Sequence, residues 1–158
     1  MDNPSLDSSR KFLLKENFFE FSFENKEPNK EFFDDISNPI EYHYIASIYN
    51  WDDGPKVLSW IINSSLCDKG TAKLIFWRSQ PDYYTRFLNK EDAEWDGEVF
   101  QLVKTIIDNF QSDFYKTENI FYDPRQDPAT DVDSLDSKAK WAIPEFMKEP
   151  TKGQKLSF

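Results

Sequence analysis

The chain is 158 residues long, the length of one ordinary domain, which can bury a real core but not two comfortable ones. Hydrophobic residues make up 39% and aromatics 17%, too much apolar surface for a disordered chain, and one cysteine (Cys67) with one histidine (His43) excludes an internal disulfide and zinc sites of the His and Cys kind. The net charge of -10, from 29 Asp and Glu against 19 Lys and Arg, repels nucleic acid and anionic membranes at long range and attracts a basic partner, although acidity also serves solubility alone.

The opening "MDNPSLDSSR" lacks the basic and apolar regions of a signal peptide, and no run approaches the roughly 18 to 20 apolar residues of a membrane span. A bacterial-type cytoplasmic protein with a flexible segment at 1–10 is the expectation. In "RKFLLKENFFEFSFENK", Phe19, Phe21 and Phe23 alternate like a strand while Leu14, Phe18 and Phe21 recur like a helix; the helix is preferred over 12–24.

The first clear start signal is Asn38 as N-cap, Pro39 in the first turn and Glu41 as the capping-box acid, followed by Ile40, Tyr44 and Ile48 at four-residue spacing. After Asn50, Asp52 or Asp53 is predicted to cap a second helix carrying Val57 with Ile61 and Leu58 with Ile62, and "NSSLCD" ends it. Asp68 caps a third helix with Ala72, Ile75 and Phe76 on one side and Leu74 and Trp77 widening the apolar face, so it is largely buried. Ser79 and Pro81 open a fourth element with Tyr83, Tyr84, Phe87 and Leu88. "NKEDAEWDG" then separates it from the most regular helix, with Val99, Leu102, Val103, Ile106 and Phe110. "NIFYDP" reads as one short strand, 125–140 as an extended loop, and "EPTKGQKLSF" as a mobile end.

"WDDGPKVLSWIIN" and "WDGEVFQLVKTIIDN" echo each other about 44 residues apart, close to the period of HEAT repeats, but two copies are fewer than such arrays need and point to a reused helix start. The fold expected is mainly α, a compact bundle of about five to seven short helices in α-hairpin or HEAT-like packing, with at most a short strand near 119–123. A single helical domain spans 11–124, followed by a partly packed loop and tail over 125–158.

Candidate chemistry is sparse. Asp52 with Asp53 is better read as a helix start than as a proton-sharing or metal-binding pair, and the same holds for Asp68. Gly70 and Thr71 let a neighbour approach that first turn closely. "CDKGTA" has the wrong order for a phosphate loop, and "DVDSLD" (Asp131–Asp136) lacks the glycine and late glutamate of a calcium loop, which leaves a solvated acidic loop. His43 reads as a satisfied or half-buried histidine. The five tryptophans, Trp51, Trp60, Trp77, Trp95 and Trp141, are mostly core, and any exposed among acids would make a hot-spot surface.

"YNWDDG" followed by "CDKGTAKLIFW", with "PIEYHYIASIYNW" upstream and "FYKTENIFYDPRQD" downstream, resembles a bacterial family known as domain of unknown function 4274, over roughly Pro39–Asp127. The family's leucine-histidine pair stands here as Tyr42-His43. The resemblance implies a small, mostly helical bacterial protein found near polymorphic-toxin loci, with no established activity and no catalytic residues to carry over. The motif residues Tyr49, Asn50, Trp51, Asp52, Asp53, Gly54, Cys67, Asp68, Gly70, Thr71 and Trp77 are therefore assigned to architecture, the acids starting two helices and Tyr49, Trp51 and Trp77 locking those starts to the core. No catalytic, cofactor-binding or metal-binding residue is assigned.

Two classes of function compete. One is a binding protein, most concretely an acidic immunity protein that covers the active site of a basic toxin such as a nuclease. The other is a metal-assisted hydrolase built on Asp52, Asp53 and Asp68, with a structural adaptor as a third possibility.

Overall fold

The computed structural model describes residues 6–19 and 26–158. Among them are seven α-helices: α1 (Ser8–Phe18), α2 (Lys30–Asp34), α3 (Pro39–Ile48), α4 (Lys56–Ile62), α5 (Lys69–Arg78), α6 (Pro81–Tyr84) and α7 (Gly97–Gln111). Three 3₁₀ turns join them, at Trp51–Asp53, Glu94–Asp96 and Glu145–Lys148. Of the helix preferred over 12–24, α1 supplies 12–18 and ends before Phe19, which is extended, while Phe21 and Phe23 of the competing strand pattern lie outside the described residues.

Polar side chains set most helix starts. Asp7 caps α1 by accepting from Arg10 N at 2.8 Å, so Leu6–Arg10, assigned above to a flexible segment, supply a buried leucine, a cap and a first turn. Asn38 caps α3 ahead of Pro39, but Glu41 pairs with Arg10 of α1, which ties two helices together. α4 departs from expectation: its N-cap position is Pro55, with no side-chain cap, and Asn50 caps the preceding 3₁₀ turn by accepting from Asp52 N. Asp52 and Asp53 lie inside that turn and therefore do not start α4.

α5 is the central element, packing against α3, α6 and α7, and every residue from Gly70 to Trp77 is buried. Its apolar residues surround most of the helix, and the buried Thr71 and Lys73 among them find hydrogen-bond partners. α7 carries the cleanest amphipathic pattern, burying Phe100, Leu102, Val103, Ile106 and Ile107 against α4, α5 and α6. Both copies of the sequence echo form the same unit, a 3₁₀ turn leading into a helix with a buried Ile-Ile pair, and the two helices α4 and α7 pack together.

The expected strand at 119–123 reduces to a single parallel bridge between Ile120 and Gln154. Its partner comes from the end expected to be mobile: Gln154 N donates to Asn119 O, Phe121 N donates to Gln154 O, and Thr151 N donates to Tyr122 O. Gly153, at φ 102°, allows this approach, because a Cβ there would meet the Asn119 carbonyl.

Candidate functional site

Asp68 is the most heavily used polar residue among the motif positions. It is 1% exposed, and each carboxylate oxygen accepts two hydrogen bonds. Oδ1 takes Gly70 N (2.9 Å) and Ile120 N (3.1 Å), and Oδ2 takes the Thr117 hydroxyl (2.7 Å) and Asn119 N (2.7 Å). One oxygen thus caps α5 while both hold a segment about fifty residues away in sequence. Gly70 completes the joint, since any Cβ would land on the Ile120 carbonyl oxygen. Thr71, one residue on, meets His43 Nδ1 through its hydroxyl at 2.9 Å. Burial, aided by the Arg78 charge, pushes the His43 pKa down to about 4, so the ring is neutral at physiological pH. Cys67 is fully buried, and burial pushes its thiol far above the ordinary range, which makes it an inert packing group.

The "YNWDDG" residues sit apart from this hub in their roles. The Tyr49 hydroxyl donates to Gly54 O at 2.6 Å and its ring meets Trp51 edge-on at 6.3 Å, fastening the 3₁₀ turn. Asp52 is exposed and Asp53 half-buried. With Asp68 saturated and buried, the cluster a hydrolase requires does not assemble; among the described residues no group of His, Cys, Asp and Glu is arranged to hold a metal ion. Trp77 locks no helix start. Its indole N–H donates to Met147 O at 2.7 Å, and Lys73 Nζ donates to Phe146 O and Glu149 O, so α5 anchors the 3₁₀ turn at Glu145–Lys148.

A different tryptophan faces outward. Trp95 is 96% exposed, in a stretch that sequence reasoning treats only as a separator. From Asn89 to Glu98 the chain carries five acids and one lysine. The stretch is a built loop: Asn89 caps it by accepting from Asp92 N, successive turns close from Ala93 N to Lys90 O, Glu94 N to Glu91 O and Asp96 N to Ala93 O, and Ala93 is buried beneath. Gly97 fits closely, with a Cβ there only 2.8 Å from Lys90 O. Glu94 stands at φ 50°, a left-handed conformation that costs a non-glycine residue roughly 1–2 kcal/mol and here turns the next side chain to solvent. Beside Trp95 opens a groove of about 480 Å³, lined by Asp92, Glu94 and Asp96, by Lys138 and Lys140, and by Tyr83 and Phe87. The Tyr83 hydroxyl donates to Asp96 at 3.1 Å, and Arg86 lies over the Tyr83 ring while pairing with Asp136. The 131–136 stretch is thus docked at Asp136 rather than solvated throughout, and Ser134 adds a bond to Asp82 at 2.7 Å.

The loop's signal in sequence was a tryptophan flanked by acids, Glu94 and Asp96 beside it and Glu91 and Asp92 before it. The Arg78, Asp127 and Tyr122 network gave no such signal, because Arg78 and Asp127 lie 49 residues apart. Among the described residues, no helix is long and apolar enough to cross a membrane. No curated protein and no solved structure matches the chain. The span matched by a family model holds both "YNWDDG" and "CDKGTA" and the Trp95 loop, but ends before the Thr117–Ile120 segment that Asp68 grips. Residues 37–111 match the model of the family described as domain of unknown function (DUF4274).

Proposed function

We propose that this chain is a binding protein that receives a basic protein partner on the acidic, aromatic surface around Trp95, and in its most concrete form a cytoplasmic immunity protein that neutralises a basic toxin by covering it. The observation that carries this reading is the Trp95 loop. An indole almost wholly in water, held up by a hydrogen-bonded loop at the expense of backbone strain and ringed by carboxylates, is the composition of a hot spot with a steering field around it. The net charge of -10 extends that field over the molecule, and complementary charge speeds encounter with a cationic partner. Lys138 and Lys140, which line the same groove, set a register, matching an acidic edge on an otherwise basic partner.

The test is co-expression with the product of the adjacent gene, followed by purification of the pair and a growth assay. The reading predicts a complex that weakens with salt and rescues growth, and loses both properties on Trp95→Ala. Absence of a complex and of rescue would sink it, as would a complex indifferent to Trp95.

A further inference from the structure

On the other side of α5 lies a cleft of about 240 Å³ between α3, α5, the turns at 121–128 and residues 155–158. Its polar wall is organised around Arg78. The guanidinium Nε donates to Asp127 Oδ2 at 3.0 Å and Nη1 donates to Ser47 O at 2.6 Å. The Tyr122 hydroxyl donates to the same Oδ2 at 2.8 Å, and Asp127 Oδ1 accepts from Ala129 N at 3.0 Å. Both oxygens of the Asp127 carboxylate are therefore engaged, and the guanidinium that it holds balances its charge.

What remains for a ligand is a surplus of donors. A guanidinium carries five N–H groups, of which two are engaged here, and its plane is already fixed by two anchors. The His43 ring bonds Thr71 through Nδ1, and Lys155 stands at the rim. The cleft is also lined by the apolar side chains of Leu74, one turn before Arg78, and of Phe121, Leu156 and Phe158, with the Phe158 ring 5.2 Å from Tyr44 and 6.3 Å from His43. A fixed planar donor in a cleft that also holds apolar side chains suits a flat anion with a hydrophobic body. The volume lies just under the roughly 300–1,000 Å³ of drug-sized sites, which limits the ligand to about one ring.

We propose that this cleft binds a one-ring aromatic carboxylate, with the carboxylate on the unengaged N–H groups of Arg78 and the ring between Leu74, Phe121 and Leu156. This site is independent of the Trp95 surface, and its test is separate from that of the partner-binding reading.

His43 supplies the readout, because it is the only histidine of the chain and its ring resonances are unambiguous. The charged and titratable groups around it are Arg78, Asp123, Asp127, Lys155, Tyr44 and Tyr122. An anion bound beside the ring adds negative charge and raises the His43 pKa from about 4. The experiment is NMR titration of the intact protein with benzoate, with inorganic phosphate as a second arm, each up to roughly 10 mM. The expected result is a saturable shift and a raised His43 pKa with benzoate, and a response at least tenfold weaker to phosphate. Arg78→Lys is expected to weaken benzoate binding tenfold or more. Lys155→Ala, at an exposed position, weakens it a few-fold, so the proposal stays testable if the first variant does not fold. An absent benzoate response would overturn the proposal. Equal responses to benzoate and phosphate would overturn it too, since they would mark a site that reads charge alone.

Discussion

Two stretches of this chain share the letters Trp-Asp and a following glycine, and the structure uses them oppositely. Both fold into a 3₁₀ turn ahead of a helix that buries an Ile-Ile pair. Trp51 is half-buried against the Tyr49 ring, whereas Trp95 is 96% exposed. The difference lies two residues before each tryptophan. Tyr49 offers a large ring and a hydroxyl that closes on Gly54, while Ala93 offers only a methyl group, and Glu94 in the left-handed region rotates the next residue outward. Similar local sequence thus gives a 3₁₀ turn ahead of a helix in both places, although the backbone within it differs, with Gly54 at φ 82° and Gly97 at φ -59°, and the packing neighbour decides whether an aromatic serves the core or a partner.

Acids divide along the same line, and substitutions sharpen the division. The largest effect is expected inside. Asp68→Ala leaves the buried N–H groups of Gly70 and Ile120, and the part-buried N–H of Asn119, without an acceptor and is expected to cost about 3–5 kcal/mol, read by chemical denaturation. A loss under about 1 kcal/mol would show that the hub is not what joins α5 to 117–120.

Acidification acts on the same neighbourhood. The His43 pKa falls from 6.5 when unfolded to about 4 when folded, so the unfolded chain binds the extra proton between those values. Stability is then full above pH 6.5 and declines as pH drops toward 4, by roughly 3 kcal/mol. His43→Gln is expected to flatten the stability profile in that window, whatever its effect at pH 7. Asp127, whose pKa is held below its ordinary 3.8 against the pull of burial by Ala129 N, Arg78 and Tyr122, loses its contribution only at more acidic pH. Gly70→Ala drives a methyl group into the Ile120 carbonyl and is expected to destabilise by about 1–3 kcal/mol in the same denaturation assay. Trp95→Ala stands at the far end of the scale, with a stability change within about 0.5 kcal/mol, because the side chain it removes buries almost nothing in the isolated chain.

The helices were legible in the sequence because their starts are written locally, as at Asn38-Pro39 and at Asp68, and because α5 and α7 have apolar patterns that admit one placement each. The start of α4 misled, since Asp52 and Asp53 look like caps while Asn50 takes that task one turn earlier for a 3₁₀ segment. The second partners of Asp68 were invisible, because a carboxylate that caps a helix and one that also grips residues 117–120 have the same local sequence. The tail read as mobile from its place among the last residues, but Thr151 and Gln154 find their hydrogen-bond partners at 119–122, beyond the reach of periodicity. The exposure of Trp95 depends on a backbone angle at Glu94 that no residue type announces.

The central claim is that the Trp95 loop exists for a partner and not for the fold. The direct measurement is the affinity of wild-type and Trp95→Ala protein for the product of the adjacent gene, alongside their denaturation midpoints. A loss of about 2–4 kcal/mol in binding, on the scale of a hot-spot tryptophan, with unchanged midpoints is the predicted result. Equal affinity for the two proteins, or a midpoint that falls with the substitution, would contradict the account.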